Sequence, residues 1–198
     1  MKTLSRLLLV AALAAFLGAA ALAETVSVDG SDTSYETKIV PTVGGKAVKM
    51  DLTGAALRKR LVFKVYTIGS YVESGAGLRS AEDLASADVP KQLHLVMERE
   101  LDGKTMANAF RDAVRLNYPA PTFDQELNTL AAYLETTSVK KGDHVWLTHV
   151  PGVGFQGRLG GQKEIVIPNP RFARAIWEIY LGKNNLGDQI KQGLTSRL

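Results

Sequence analysis

The order of hydrophobic patterns along the chain predicts an α+β fold in which helices pack on one face of an antiparallel sheet. Strand patterns dominate the first half, and short turns containing glycine join them, as is typical of antiparallel neighbours. Two helical patterns, a hairpin and two more helical patterns follow, so the helices arrive in pairs. No internal repeat or low-complexity linker interrupts this order, and we expect one domain over residues 24–198.

Residues 1–23 are predicted to be a secretory signal peptide outside that domain. A basic start precedes a Leu- and Ala-rich run over residues 7–22, and Ala21-Leu22-Ala23 has the form of a cleavage site. A membrane anchor is the alternative, but the run is short for a span and ends in small residues. We therefore expect export across the inner membrane, a mature start at Glu24, a periplasmic location and no stable membrane insertion after cleavage.

Charge and composition exclude several classes of function. Loss of the leader lowers the formal net charge from +4 to about +2, and the basic residues are scattered, so nucleic acid is not an expected partner. The chain has no cysteine, which excludes thiol catalysis, disulfides and thiolate metal sites.

Alternating apolar residues predict the strands of the front half. Gly44-Gly45 is a turn signal between two of them, and Ser80 is a candidate N-cap for a short helix. Gly54 and Gly69 interrupt the longest stretch, which indicates a bulge or a close backbone approach. The predicted strands cover residues 35–40, 46–52, one or two segments of 52–73, and 91–98. Alternation directs Leu61, Phe63, Val65 and Thr67 to one face and Val62, Lys64, Tyr66 and Ile68 to the other.

Apolar residues spaced three and four apart predict the helices of the back half. Asp102 is a candidate N-cap for the first helix, Thr122 with Gln125 has the form of a capping box for the second, and Asn169 before Pro170 caps the third. The helical faces contain Met106, Phe110 and Val114; Phe123, Leu127 and Leu134; Phe172, Ile176 and Ile179; and Leu186, Ile190 and Leu194. Strands over residues 145–150, 155–159 and 164–167 separate the two pairs of helices.

Three other patterns are typical of cofactor or metal sites, and each fits ordinary structure better. Gly152-Val-Gly154-Phe-Gln-Gly157 has the form of a dinucleotide fingerprint, but strand and turn residues follow it where a helix is needed. The three histidines have no carboxylate at a ligand spacing, so no metal site is predicted. Trp177 and Tyr180 are interpreted as part of a helical core face rather than as a cofactor site.

Arg58 is the residue whose chemistry the pattern leaves open. It lies in a stretch that is apolar enough for the core. An arginine there either has an ordinary structural role, in which it forms a salt bridge or extends to solvent, or it binds an anionic ligand. Its planar and permanently charged guanidinium suits a carboxylate or phenolate in an apolar cleft. Tyr66, Thr67 and Tyr71 on the following strand are candidate hydroxyl donors to the same ligand.

Two motifs give the sequence a resemblance to a known family. Leu52-x-Gly54-x-x-x-Arg58, followed by Phe63-Lys-Val-Tyr-Thr-Ile-Gly-Ser-Tyr71-Val-Glu73, resembles the front half of the chalcone isomerase-like domain. The segment Asn169-x-x-Phe172-Ala173-x-Ala175-Ile176-Trp177-x-x-Tyr180-Leu181-Gly182-Lys183 resembles its C-terminal helices. The resemblance spans residues 43–198, and exported bacterial members of the family are the most similar.

This resemblance implies an open-faced β-sandwich, in which a large antiparallel sheet carries a layer of helices on one face with a cleft between them. Plant enzymes of the family cyclise chalcones to flavanones without a cofactor, whereas relatives with the same fold bind fatty acids. In both groups an arginine at the position matching Arg58 holds the anionic group of the ligand.

The sequence departs from the enzymes of that family where they carry hydroxyl groups. Tyr66 stands in the place of a threonine, with Thr67 one residue away, and Ala173 stands in the place of a serine or threonine. The family's tyrosine on the strand near residues 97–99 has no counterpart here.

These departures favour an exported, cofactor-free protein that binds a small apolar carboxylate or phenolate, such as a fatty acid, without chalcone cyclisation. The alternative is an isomerase, an intramolecular lyase in which Arg58 stabilises an oxyanion. A third possibility is a cell-envelope interaction module with a closed cleft and a salt-bridged arginine.

Overall fold

The computed structural model describes residues 23–198. The predicted signal peptide lies outside these residues except for Ala23, so it stays a prediction. The helices are α1 (Ala81–Ser86), α2 (Gly103–Arg115), α3 (Asp124–Leu134), α4 (Pro170–Leu181) and α5 (Asp188–Leu194). The strands are β1 (Thr25–Ser27), β2 (Ser34–Glu36), β3 (Lys38–Ile39), β4 (Thr42–Val43), β5 (Lys46–Ala47), β6 (Met50–Arg60), β7 (Phe63–Glu73), β8 (Lys91–Met97), β9 (Leu101–Asp102), β10 (Ser138–Val139), β11 (His144–Val150), β12 (Gly154–Leu159) and β13 (Ile165–Ile167). Within this described part, no helix is both long enough and apolar enough to cross a bilayer.

Seven strands form the main sheet, and every neighbouring pair in it is antiparallel. Their order is β13-β12-β11-β8-β7-β6-β3. Strands consecutive along the chain lie side by side in β6–β7–β8 and in β11–β12–β13, whereas α2 and α3 lie in the connection between β8 and β11. The predicted α+β fold, with paired helices and an antiparallel sheet, is confirmed.

The sheet has a large core under the helices and a smaller core on its other side. We call these two sides the helix face and the outer face. Phe172, Ile176 and Trp177 of α4 are fully buried in the large core on the helix face. On the outer face, Tyr35 and Tyr71 are buried in the small core. The strands that precede β6 therefore cover part of the face that an open-faced sandwich leaves exposed.

Two glycines in the long β6–β7 hairpin allow other elements to pack directly on the strand backbone, as predicted. A Cβ atom on Gly54 would lie 2.1 Å from the carbonyl oxygen of Gly193 in α5, and Gly54 follows a register shift next to Thr53. A Cβ atom on Gly69 would lie 2.6 Å from the ring of Tyr35. Both separations are too short for any side chain, so these positions require glycine.

Three of the predicted N-caps are confirmed and the capping box is wrong. The side chains of Ser80, Asp102 and Asn169 accept hydrogen bonds from backbone N–H groups at the starts of α1, α2 and α4. Helix α3 begins at Asp124 without a side-chain cap, because Phe123 precedes it in the left-handed region, with φ of +61°. The Phe123 ring packs edge-on against Phe172 of α4, so tertiary packing sets this helix start instead of Thr122.

Candidate ligand-binding cavity

A cavity of about 730 Å³ lies between the helix face of the sheet and helices α2, α3 and α4. Most of its wall is aliphatic or aromatic, and the sheet contributes Leu95, Met97, Val145, Leu147, Phe155 and Leu159 to that wall. The polar side chains on the wall are Arg58, Arg60, Tyr66, Arg99, Thr105, Asp112, Tyr133 and Tyr180. An apolar hollow of this size with a few placed polar groups is the usual form of a small-molecule site.

A bulge in β7 directs two consecutive side chains into this cavity. Arg58 pairs with Tyr66, but the next pair joins Lys59 to Lys64, so Val65 is an extra residue. Val65 and Tyr66 consequently both line the cavity. The predicted alternation, which placed these two on opposite faces, is wrong at this point because a bulge shifts side-chain direction by one residue.

Arg58 lies half-buried on the cavity wall near the end of β6. Its Nη1 donates hydrogen bonds to the carbonyl oxygens of Lys59, at 3.0 Å, and Leu186, at 3.2 Å. Both acceptors are neutral, and no carboxylate of the described residues forms a salt bridge with Arg58. The guanidinium is therefore fixed in place by backbone groups, while its charge lacks a protein counter-ion.

Two tyrosine hydroxyls stand beside this cation. Burial raises the pKa of Tyr66, and interactions with Tyr180 and Arg58 oppose that rise only in part. Burial also raises the pKa of Tyr180 well above its ordinary value, with Tyr66 adding to the effect. Both phenols are thus protonated near neutral pH and are hydrogen-bond donors next to a permanent positive charge. Such a cluster is suited to a carboxylate, a phenolate or an oxyanion.

Residues 33–195 match the family described as chalcone isomerase-like. The chain belongs to this family. The resemblance that the two motifs indicated is confirmed, and it covers both the β6–β7 hairpin with Arg58 and the C-terminal helices. Among curated protein sequences, none matches this chain.

A solved structure of a chalcone isomerase-like fold gives the same architecture. The crystal structure of a fatty-acid binding protein from Arabidopsis thaliana matches with a TM-score of 0.68 and 20% sequence identity. The match covers 86% of this chain and 95% of that chain. At this identity the likeness shows the fold alone, and the predicted open-faced β-sandwich is confirmed.

The structure brings two of the four predicted ligand-binding residues to the cavity of this family member. Arg58 and Tyr66 line it, whereas Thr67 and Tyr71 point to the outer face. Thr67 shares a hydrogen bond of 2.9 Å with the hydroxyl of Tyr35. The Tyr71 hydroxyl donates to the carbonyl oxygen of Glu36 at 3.0 Å. Because these hydroxyls already have protein partners on the outer face, Thr67 and Tyr71 lie outside the cavity site.

Tyr180 is a member of the site that sequence reasoning placed in the helical core. Its ring is buried in α4, as the spacing predicted, but its hydroxyl interacts with Tyr66 at the cavity wall. A buried tyrosine needs a partner for its hydroxyl, and this requirement is the signal that distinguishes it from a phenylalanine on the same face. Ala173, in the place of a hydroxyl residue of the family's enzymes, is fully buried in the large core.

The glycine motif and the histidines belong to ordinary structure among residues 23–198. No group of three or more His, Asp or Glu side chains in this range is arranged to hold a metal ion. The glycine motif falls in a turn and in strand β12, as predicted, because β12 pairs with β11 and β13. His94 and His144 share a hydrogen bond of 2.7 Å on the outer face.

Proposed function

We propose that this chalcone isomerase-like protein binds an apolar molecule with an anionic end, such as a long-chain fatty acid. The observation that carries the proposal is the guanidinium of Arg58, which has no carboxylate partner among residues 23–198 and lies on the wall of an apolar cavity of about 730 Å³. The fatty-acid binding of the Arabidopsis protein with the same fold supports this choice of ligand class.

The carboxylate of such a ligand binds at the cluster of Arg58, Tyr66 and Tyr180. The backbone carbonyls of Lys59 and Leu186 orient the guanidinium before the ligand arrives, which reduces the entropy lost on binding. Both phenols donate hydrogen bonds while protonated, and neither adds a negative charge that would repel the ligand. Charge-assisted hydrogen bonds of this kind contribute about 1.5–3 kcal/mol each.

The hydrocarbon tail lies along the apolar wall that β8, β11 and β12 form under the helices. Burial of each methylene contributes about 0.8 kcal/mol, so affinity should rise about fourfold per added methylene until the cavity is full. A series of saturated fatty acids measured by isothermal titration calorimetry would give this slope. An affinity that does not depend on chain length would contradict the assignment of the cavity.

The decisive experiment compares a fatty acid with the alcohol of the same length in wild type and in Arg58→Ala. The wild-type protein should prefer the acid, and Arg58→Ala should lose about 10- to 100-fold in affinity for the acid alone. Lys59→Ala is the matched control, because Lys59 is the next cation along β6 and does not line the cavity. Equal loss of acid and alcohol, or no loss of either, would overturn the role of Arg58.

An isomerase is the second candidate, favoured by the same cluster of donors. Two protonated phenols and a guanidinium are groups that stabilise an oxyanion as it develops on a carbonyl. Turnover of chalcones by the wild-type protein, lost in Arg58→Lys, would support this candidate, because lysine keeps the charge but lacks the planar pair of donors. Fatty-acid binding without such turnover would contradict the isomerase and support the binding proposal.

The proposed setting of this function is the periplasm, after removal of residues 1–23. The basic start, apolar run and small-residue cleavage motif support this location. Expression of the full chain in a Gram-negative host, followed by intact-mass measurement of the periplasmic fraction, should find a chain that begins at Glu24. Retention of the whole sequence in the membrane fraction would favour the anchor instead.

A further inference from the structure

We propose that the tip of the β6–β7 hairpin is a docking surface for a bilayer that contains anionic lipids. The hairpin tip is defined here as Leu61, Val62 and Phe63 with the flanking Lys59 and Lys64. This proposal goes beyond ligand binding and does not depend on it, because the surface is complete whatever the cavity contains.

The hairpin tip exposes three large apolar side chains in succession. Leu61 is 90% exposed, Val62 84% and Phe63 58%. Leu61 also has φ of +55°, a conformation that glycine or asparagine adopts at lower cost than leucine. A polar turn residue would fit this backbone better, yet leucine occupies it. Contiguous exposed apolar residues of this kind mark an interaction surface rather than an ordinary turn.

The charges around the hairpin tip indicate that its binding partner is an anionic surface. Residues 58–64 contain four basic side chains and no acidic one. Lys59 and Lys64 are exposed, and the guanidinium of Arg99 lies 5.5 Å from the centre of the Phe63 ring. Glu98, whose backbone N–H donates to the carbonyl oxygen of Val65, and Asp112 on the cavity wall are acidic groups at this end, and Arg58, Arg60 and Arg99 lie on the same wall. Apolar residues flanked by Lys and Arg are the composition of segments that insert into the interface of anionic membranes.

The hairpin tip is also one rim of the cavity opening. Leu61 and Phe63 line the cavity, and so does Leu116 at the end of α2, which is itself 46% exposed. A bilayer that receives the tip therefore lies against this opening. An apolar molecule could then pass between the acyl chains and the cavity without crossing water.

A vesicle flotation assay tests the docking surface directly. The protein is mixed with vesicles of phosphatidylethanolamine and phosphatidylglycerol, or of phosphatidylcholine alone, at low and high salt. The variant Lys59→Gln/Val62→Asn/Lys64→Gln changes three of the five residues of the hairpin tip and no residue that lines the cavity. The matched control is Lys140→Gln/Lys141→Gln/Val166→Asn, which removes two exposed lysines and one exposed valine elsewhere.

We expect wild type and control to float with the anionic vesicles and to be released by salt. The hairpin variant should lose at least about tenfold in vesicle partitioning, since each basic group near an anionic surface contributes measurably. All proteins are expressed as the full chain and purified from the periplasmic fraction, and intact mass verifies that the apolar run over residues 7–22 is absent, so this run does not contribute to flotation. Thermal unfolding of each variant shows whether a loss reflects unfolding.

A site-specific probe separates insertion from simple charge attraction. The chain contains no cysteine, so Val62→Cys provides one attachment point for an environment-sensitive nitrobenzoxadiazole dye. Its emission should shift to the blue and intensify with anionic vesicles, while the same dye at Val166→Cys should not respond.

The proposal is overturned by equal flotation of the hairpin variant and wild type, by equal binding to neutral vesicles, or by an unresponsive dye at position 62. Self-association that the hairpin variant abolishes, without vesicle binding, would assign the surface to a protein contact and equally overturn it. Failure of the ligand-binding proposal is distinguishable, because it would appear as loss of fatty-acid binding with flotation intact.

Discussion

The two faces of the β6–β7 hairpin carry similar side chains and use them differently. On the outer face, the hydroxyl of Tyr35 meets Thr67 at 2.9 Å, and the hydroxyl of Tyr71 reaches the carbonyl of Glu36 at 3.0 Å. Both hydroxyl groups have a protein partner, and the Tyr35 ring fills the space above Gly69. Over the β6–β7 hairpin the outer face is therefore packed.

The helix face presents Tyr66 and Tyr180 beside Arg58, and these groups border a cavity of about 730 Å³ instead of packed side chains. Arg58 is held by two carbonyl oxygens but has no carboxylate partner among the described residues. A tyrosine or an arginine in this sheet is therefore not by itself a sign of a ligand site. What matters is whether packed protein or open volume faces the polar group.

The largest expected effect is a loss of stability caused by a substitution on the outer face. Gly69→Ala places a Cβ atom 2.6 Å from the Tyr35 ring, which is buried and held by its bond to Thr67. Overpacking of this kind costs about 1–3 kcal/mol, and we expect the free energy of unfolding to fall by about that amount in urea denaturation. Fatty-acid affinity should not change, because the substitution lies on the other side of the sheet.

The matched substitution on the helix face is Ala113→Leu, whose added atoms enter the cavity. We expect less than about 1 kcal/mol of destabilisation, since the side chain extends into open space. Fatty-acid affinity should instead drop about tenfold, because the leucine occupies volume that the tail needs. If Ala113→Leu destabilised the protein as much as Gly69→Ala, the helix face would be as closed as the outer face.

Low pH should also destabilise the protein through a histidine on the outer face. Burial lowers the pKa of His94 to about 4, with the neighbouring His144 and Arg158 contributing in the same direction. In the unfolded chain the imidazole titrates near 6.5, so the unfolded state binds more protons between these values and stability falls as pH decreases from about 6.5 to 4. We expect wild type to lose up to about 2 kcal/mol over that range.

His94→Gln is the variant that isolates this contribution, because glutamine keeps a side chain of similar size without the titration. Its free energy of unfolding should vary less with pH than that of wild type, as measured by urea denaturation at pH 7 and pH 4.5. His149 also has a lowered pKa from burial and would leave a residual slope in both proteins. Parallel pH profiles of the two proteins would contradict the assignment to His94.

Sequence reasoning predicted the architecture well because the fold depends on local patterns. Alternation predicted strands in the regions of β6, β7 and β8, although it left open whether residues 52–73 form one strand or two, and short polar side chains identified the starts of α1, α2 and α4. The capping box at Thr122 failed because the packing of Phe123 on Phe172 decides where α3 begins. Long-range contacts of this kind leave no mark on neighbouring positions in the sequence.

The site was harder to predict than the fold, because it depends on side-chain direction near one bulge. Arg58 could be singled out as a cation in an apolar stretch, and it does line the cavity. Thr67 was equally plausible on strict alternation, but the extra residue at Val65 leaves Tyr66 on the cavity side and Thr67 on the outer side. Tyr180 comes from a helix more than a hundred residues away, so only the folded chain places it beside Tyr66.

The smallest effects are expected from removing single hydroxyl groups, and these variants compare the helix face with the outer face most directly. Tyr66→Phe and Tyr180→Phe should each weaken fatty-acid binding by about 1.5 kcal/mol, roughly tenfold, while stability changes little. Tyr35→Phe should do the reverse, lowering the free energy of unfolding by about 1 kcal/mol through loss of the bond to Thr67 and leaving affinity unchanged. Calorimetric binding and urea denaturation on all three variants would measure both quantities. A loss of stability without loss of affinity in Tyr66→Phe or Tyr180→Phe, or a loss of affinity in Tyr35→Phe, would contradict the distinction between a packed outer face and an open helix face of this hairpin.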